Sequence, residues 1–154
     1  MYRITREIAF CYGHRLLNYQ GKCKNLHGHN GLAVITIESK ELDELGMVRD
    51  FSEIKSVVSQ WIDDTLDHRM LLHKDDKYVS YLQEQGEPIQ LLDVNPTAEN
   101  IAKLIYDFVR QQGFPVVEVT LWETPSCFAT YSPEPARARA RAQDDAKPLT
   151  NIHK

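Results

Sequence analysis

The strongest structural pattern in this chain is HGHNGLAVITIE, residues 27–38. It is rich in β-branched residues, which favour a strand, and its alternation predicts one apolar face. That face is formed by Ala33, Ile35 and Ile37. The same alternation points His27 and His29 in one direction, while Gly28 between them lets another group approach the backbone closely. We therefore expect a strand that presents two imidazoles side by side.

A second strand is predicted upstream, where alternating apolar residues lead to His14. Those residues are Ile4, Ile8 and Phe10. Pairing with residues 27–38 would bring a third imidazole to the other two. Three histidines leave the fourth position of a tetrahedral Zn²⁺ open for water or substrate. Two alternatives stay open: the histidines are ordinary polar or capping residues, or a bulge at Gly13 turns His14 away.

Cys23 lies in a polar loop between Lys22 and Lys24, just before the first two imidazoles. A free cysteine is often a small buried hydrophobe. Here, positive charge and a nearby metal would favour the reactive thiolate instead. The pattern leaves two sites open: a structural centre with Cys23 as fourth ligand, or a catalytic centre with Cys23 as base or nucleophile.

The remaining elements predict an α+β fold. Apolar residues recur at helical spacing over residues 54–62 and 101–108, and alternate again over 117–123 and 128–131. The intervening residues 74–93 are polar and irregular. The order strand, strand, helix, helix, strand, strand predicts a four-stranded, mostly antiparallel sheet with both helices on one face.

The pair Asp67-His68 closes the first predicted helix. A histidine there is explained by the helix dipole alone, although a carboxylate beside an imidazole also holds a general acid or base in one tautomer. Thr97 precedes the second helix and is a plausible N-cap. Both positions therefore have sufficient structural explanations.

Glu123 shares the predicted apolar face of its strand with Val117, Val119 and Leu121. An acid on such a face must be paired or must bind something, since burying it alone costs several kcal/mol. A flat, guanidine-like edge on a ligand would satisfy it with two parallel hydrogen bonds. The alternative is that the strand frays and Glu123 turns to solvent.

Length and composition limit the class of protein. The chain has 154 residues, 42% hydrophobic and 26% charged, which fits one globular domain over residues 1–131. Residues 132–154 are poor in large apolar side chains, and we expect them to be disordered. The net charge of −4 argues against nucleic acid as a partner, and no stretch is long and apolar enough to span a membrane. Three cysteines favour a reducing compartment, the cytoplasm by default.

Several motifs occur together in one order and give the chain a family resemblance. They are Phe10-x-x-x-His14-Arg15-Leu16, Cys23-x-x-x-His27-Gly28-His29-Asn30, Asp67-His68, Pro96-Thr97-x-Glu99-Asn100 and Trp122-Glu123-Thr124. Over residues 2–131 the chain resembles the 6-pyruvoyltetrahydropterin synthase and 6-carboxytetrahydropterin synthase family. The resemblance implies a tunnelling fold, with sheets joined at their edges into trimers that stack as homohexamers.

The resemblance also implies a substrate. Three residues separate Cys23 from His27, as in the bacterial 6-carboxytetrahydropterin synthases of the queuosine and deazapurine pathway, whereas pyruvoyl enzymes usually have a longer interval. The substrate would be 7,8-dihydroneopterin triphosphate, and the products 6-carboxytetrahydropterin, acetaldehyde and triphosphate. Pyruvoyl-type elimination and a non-catalytic zinc- and pterin-binding protein are the alternatives.

Residue roles follow from the resemblance. The ligands of Zn²⁺ would be His14, His27 and His29. Cys23 would be the thiolate that moves protons, with Asp67 and His68 of an adjacent subunit as its relay. Glu123 would anchor the amino-pyrimidine edge of the pterin, and Thr97 is placed with it among the substrate-binding residues.

The chain departs from the family pattern at two places. Cys11-Tyr12-Gly13 stands where small residues are usual. Gly31 directly follows His27-Gly28-His29-Asn30, where many members have an aromatic residue. Both departures adjoin the expected metal site, so we expect them to reshape the pocket around the substrate's side chain.

Overall fold

The first two strands form one long antiparallel hairpin, as predicted. The computed structural model describes residues 1–133, so the predicted tail lies almost wholly outside the described residues. β1 (Tyr2–His14) pairs with β2 (His27–Ser39) in a register that is unbroken along their whole length. Gly13 therefore causes no bulge, and His14 lies directly opposite His27.

The two predicted helices are present. The first helical stretch consists of α1 (Phe51–Ile54), a π-helical segment (Lys55–Ser59) and α2 (Gln60–Thr65). Its N-cap is Asp50, whose side chain accepts a hydrogen bond from the backbone N–H of Ser52. It ends at Thr65, so the prediction that it reaches Asp67-His68 is two residues too long.

Three elements between this helix and the next predicted one were not revealed by the sequence. They are β3 (Arg69–His73), α3 (Val79–Glu84) and β4 (Ile89–Leu92). β3 pairs parallel to β1, and β4 pairs parallel to β3. Both strands are short, and the buried residues of β3, Leu71 and Leu72, are adjacent, so no alternating pattern marks them.

The last three elements are α4 (Ala98–Gln111), β5 (Val116–Thr124) and β6 (Cys127–Tyr131). β5 pairs antiparallel to β2 and β6 to β5, which gives the strand order β4-β3-β1-β2-β5-β6. The α+β class is confirmed. The four-stranded antiparallel sheet is wrong, because β3 and β4 extend it to six strands and make it mixed.

One face of the sheet packs against the helices and forms the core. Its fully buried residues include Ala33, Ile35, Ile37, Val119 and Leu121 from the sheet, and Ile54, Val58, Ile62, Ile101, Ile105 and Val109 from the helical stretches. A register shift opposite Thr36 places Val116, not Val117, on this face. None of the helices within residues 1–133 is long and apolar enough to span a membrane.

Candidate metal centre

Three histidines meet at the end of the β1–β2 hairpin. His14 lies opposite His27, and His29 follows two residues later on the same face. One ring nitrogen of each lies within 4.8 Å of the others, and the ring centroids are 4.5 to 5.1 Å apart. His14 is buried and the other two are half-buried. The structure thus brings the three predicted metal ligands together.

The outer hydrogen bonds of two of these rings fix which nitrogen faces inward. His14 Nδ1 lies 2.7 Å from the carbonyl oxygen of Pro96, and His27 Nδ1 lies 2.8 Å from that of Asn25. A carbonyl only accepts, so each Nδ1 donates and each neutral ring keeps its lone pair on Nε2. The two Nε2 atoms are 3.0 Å apart. Two lone pairs at this separation repel unless a cation lies between them, so the donor set fits a metal ion.

The charge state of His14 suits the same purpose. Burial lowers the pKa of His14, and the neighbouring imidazoles lower it further, against the opposing effects of the Pro96 carbonyl and of Glu123. The neutral ring is the form of histidine that binds metals. At neutral pH His14 is therefore in the uncharged form that metal binding requires.

Glu123 lies inside β5, on the same face as Val119 and Leu121, and does not turn fully to solvent. Its side chain is 22% exposed, and its Oε1 lies 3.8 Å from His14 Nε2. Oε1 accepts a hydrogen bond of 2.9 Å from the hydroxyl of Tyr12. Burial raises the pKa of Tyr12, and the carboxylate raises it further, so the phenol remains a donor.

Cys23 lies in a short 3₁₀ helix, Lys22–Lys24, within a tethered loop. The Cys23 carbonyl accepts a hydrogen bond of 2.9 Å from Leu16 N–H, and Arg15 Nε donates to the Lys24 carbonyl at 2.7 Å. Arg15 is itself held by a buried ion pair in which its Nη1 donates to both carboxylate oxygens of Asp76, at 2.7 and 2.6 Å. Within residues 1–133, the cluster of close ligand atoms comprises the three histidines and does not include Cys23.

Asp67 and His68 contact each other but lie outside that cluster. His68 Nδ1 is 2.7 Å from Asp67 Oδ2, and Asp67 Oδ1 accepts from the backbone N–H of Cys11 at 2.7 Å. Burial raises the pKa of Asp67, but its hydrogen bonds to Cys11 and His68 outweigh burial and leave that pKa below its usual value. His68 has a positive φ of 54° and lines an open cleft of about 540 Å³ together with His27 and His29.

Thr97 is the N-cap of α4, and its hydroxyl accepts from the backbone N–H of Asn100 at 3.3 Å. The preceding Pro96 supplies the carbonyl that orients His14. Sequence reasoning did not identify that carbonyl or the Tyr12 hydroxyl as parts of the site. For Tyr12 a signal existed, because residues 12 and 14 share strand parity.

Fold and site together define an α+β protein built around a candidate three-histidine metal centre with a carboxylate beside it. The model of the 6-pyruvoyl tetrahydropterin synthase family matches residues 3–134. The chain belongs to this family.

Curated relatives carry two names. A protein of Rickettsia bellii named 6-carboxy-5,6,7,8-tetrahydropterin synthase is 42% identical over 135 residues, covering 83% of this chain and 98% of that protein. A Haemophilus influenzae protein of the same name is 31% identical, covering 85% and 99%. The 6-pyruvoyl tetrahydrobiopterin synthase of Dictyostelium discoideum is 27% identical, covering 85% and 96%.

Solved structures show the same architecture. An uncharacterised protein from Wolinella succinogenes superposes with a TM-score of 0.72 at 26% identity, covering 86% of this chain and 98% of that one. The 6-pyruvoyl tetrahydropterin synthase of Caenorhabditis elegans gives a TM-score of 0.64 at 27% identity, covering 86% and 96%.

Proposed function

We propose that this protein is a zinc-dependent lyase that converts 7,8-dihydroneopterin triphosphate and water into 6-carboxy-5,6,7,8-tetrahydropterin, acetaldehyde and triphosphate. The observation that carries the proposal is the convergence of the His14 and His27 Nε2 atoms, 3.0 Å apart, beside the carboxylate of Glu123. Relatives at 42% and 31% identity that bear the carboxy name support this choice of product. The product would serve as a precursor in the synthesis of queuosine and other 7-deazapurines.

The three histidines would hold the zinc ion. Zn²⁺ supplies Lewis-acid polarisation of the substrate's side-chain hydroxyls, which makes the neighbouring carbons more acidic. A His₃ set leaves a coordination position for those hydroxyls. The carbonyls of Pro96 and Asn25 keep two of the rings in the tautomer that the ligand role requires.

Cys23 would act as the base that takes a proton from the substrate's side chain. Its absence from the close histidine cluster supports a role in moving protons rather than that of a fourth zinc ligand. The Arg15–Asp76 pair would keep the loop in place, because Arg15 also holds the carbonyl of Lys24.

Glu123 would bind the substrate's amino-pyrimidine edge through two parallel hydrogen bonds. Thr97 is the second substrate-binding residue of this proposal. Its hydroxyl oxygen accepts from Asn100 N–H, and its O–H hydrogen would donate to a ligand.

Asp67 and His68 would serve the active site of an adjacent subunit. The His68 side chain is 79% exposed in the single chain, which supports a role toward a neighbouring subunit. The low pKa of Asp67 keeps its carboxylate charged, so that it accepts from His68 Nδ1 and leaves Nε2 to exchange protons. A trimer-based homohexamer of tunnelling folds, in the cytoplasm, is the assembly this proposal requires.

One assay tests the proposal. Zinc-loaded protein is incubated with 7,8-dihydroneopterin triphosphate, and every product is identified by mass. Stoichiometric acetaldehyde and 6-carboxytetrahydropterin are expected. If the substrate is returned unchanged and chelation unfolds the protein, the zinc is structural and the chain is a binding protein.

Pyruvoyl-type elimination is the second candidate, favoured by the names of the Dictyostelium and Caenorhabditis proteins. The same assay separates it from the first. Elimination releases triphosphate and leaves all side-chain carbons on the pterin, so a pyruvoyl product without acetaldehyde would establish it.

A further inference from the structure

Tyr12 connects the histidine cluster to Glu123. Its side chain is buried, 3% exposed, and its ring stacks on Phe10 at 5.4 Å between centroids. The ring meets His14 edge-on at 5.3 Å and lies 5.7 Å from His29. Its hydroxyl donates to Glu123 Oε1 at 2.9 Å. The Tyr12 hydroxyl thus reaches the Glu123 carboxylate from β1, the strand that also carries His14.

Gly31 provides the space for this ring. A Cβ atom at position 31 would lie 2.9 Å from Tyr12 Cε1 and 3.4 Å from Cδ1. The first distance is shorter than real Cβ contacts, so a side chain at position 31 would displace the Tyr12 ring. Two departures from the family pattern, Tyr12 and Gly31, are therefore linked. The Tyr12 ring occupies the space that a side chain at position 31 would need.

We propose that Tyr12 is a positioning residue, which orients Glu123 for ligand recognition. The absence of a side chain at Gly31 makes the room that the Tyr12 ring needs. This inference rests on the proposed function, since it takes Glu123 as the group that binds the amino-pyrimidine edge. It adds a determinant of pterin selectivity that acts through Glu123.

The hydrogen-bonding capacity of the carboxylate makes this role feasible. A carboxylate offers about four acceptor sites on two oxygens, so Oε1 can accept from Tyr12 and still accept from a ligand. The terminal torsion of a glutamate is soft, and a fixed donor limits its rotation. Bidentate pairing needs both oxygens in the plane of the ligand, which is the orientation that a fixed phenol would maintain.

The position of Glu123 supplies a second reason for a restraint. Oε1 lies 3.8 Å from His14 Nε2, close enough for an unrestrained carboxylate to turn toward a cation held by the histidines. Such a turn would fill the open coordination position and remove the carboxylate from the ligand. The Tyr12 hydroxyl holds Oε1 at 2.9 Å and opposes this movement.

The test compares two ligands that differ at one position. Neopterin presents the 2-amino group and the adjacent ring N–H to a carboxylate, whereas its 2-oxo (lumazine) analogue lacks the amino donor. For Tyr12→Phe we expect neopterin to bind about tenfold more weakly and the lumazine analogue within about twofold of wild type, as for loss of one charged hydrogen bond. Calorimetric Kd values and zinc content are measured on the same preparations, and zinc content is expected to stay unchanged.

Tyr106→Phe is the matched control. Tyr106 is equally buried, 3% exposed, and its hydroxyl is hydrogen-bonded to Arg110 at 3.3 Å, away from the histidines. The Tyr106→Phe protein should bind both ligands as the wild type does. Gly31→Ala is the independent variant: it should reproduce the loss of neopterin affinity without removing the phenol.

A double-mutant cycle decides whether Tyr12 acts through Glu123. Glu123→Gln alone and Tyr12→Phe with Glu123→Gln should give the same neopterin Kd, whereas independent roles would make the two losses multiply. In steady-state assays Tyr12→Phe should raise KM more than it lowers kcat. If the two losses of neopterin affinity multiply, or if Tyr12→Phe keeps wild-type selectivity, the role of Tyr12 is overturned while the proposed function stands. A wild-type protein that binds neither ligand overturns the proposed function with it.

Discussion

The Nε2 atoms of His14 and His27 lie 3.0 Å apart, while the Nδ1 atom of each ring faces a backbone carbonyl. The backbone thus sets both tautomers, and strand pairing sets the separation. The folded chain itself points both lone pairs inward, and a cation bound between them would relieve their repulsion.

Removal of one imidazole tests the ligand set. His27→Ala should lower bound zinc from about one per chain toward zero, because two histidines do not complete a three-ligand site. His73→Ala is the control, since His73 lies in β3 outside the cluster. Metal analysis of both purified proteins checks this, and full zinc retention in His27→Ala would refute the assignment.

Removal of the thiol tests the role of Cys23. Cys23→Ala should lose about 10²- to 10⁴-fold in kcat, the usual contribution of a general acid or base, and should keep its zinc. Cys127→Ala, which alters an exposed thiol in β6, should behave as wild type. Loss of zinc from Cys23→Ala would instead make Cys23 a ligand.

Mixed oligomers test whether active sites are shared between subunits. Cys23→Ala and His68→Ala should each be inactive alone. When equal amounts are co-assembled, about a quarter of the sites should combine an intact Cys23 with an intact neighbouring His68, and activity should recover accordingly. Activity that stays at the level of the separate variants would place both residues in the same chain's site, or remove one from the mechanism.

The Asp67 carboxylate predicts a specific acid sensitivity of the metal-free protein. Its pKa is lowered in the folded state from an ordinary 3.8, so the unfolded chain binds the proton more tightly. The stability that Asp67 contributes is therefore full above that ordinary value and is lost as pH falls through the folded pKa. In urea unfolding from pH 6 to pH 3, the free energy of unfolding of the wild type should approach that of Asp67→Asn at the acid end. Parallel curves would contradict the lowered pKa.

Thr97 has a structural role that can be separated from substrate binding. Thr97→Ala removes the N-cap of α4 and should lower the free energy of unfolding by about 1 kcal/mol, whereas Thr97→Ser keeps the cap. If Thr97 also binds substrate, the alanine variant raises KM and the serine variant does not. An unchanged KM in a destabilised alanine variant would confine Thr97 to capping.

Local patterns were sufficient to predict the long elements and the metal-site histidines. Strand alternation placed His27 and His29 on one face, and pairing with β1 supplied His14, because these relationships depend only on the two-residue period of a strand. The N-cap of α4 was equally readable, from Thr97.

The rest depends on contacts between distant segments. β3 and β4 are short parallel strands at one end of the sheet, and their pairing is decided by the strands they join and not by their own sequence. The Tyr12–Glu123 hydrogen bond joins residues 111 positions apart, and the Pro96 carbonyl reaches His14 across 82. Strand parity can place Tyr12 and Glu123 each on a face, but it does not say which distant residue either will contact.

X-ray absorption at the zinc edge of the purified, zinc-loaded protein would identify the ligand atoms of the proposed centre. We expect three imidazole nitrogens at about 2.0–2.1 Å, a further light-atom ligand, and no sulfur. A sulfur at about 2.3 Å would make Cys23 a structural ligand, and absence of a zinc signal from protein loaded with the metal would contradict the three-histidine centre itself.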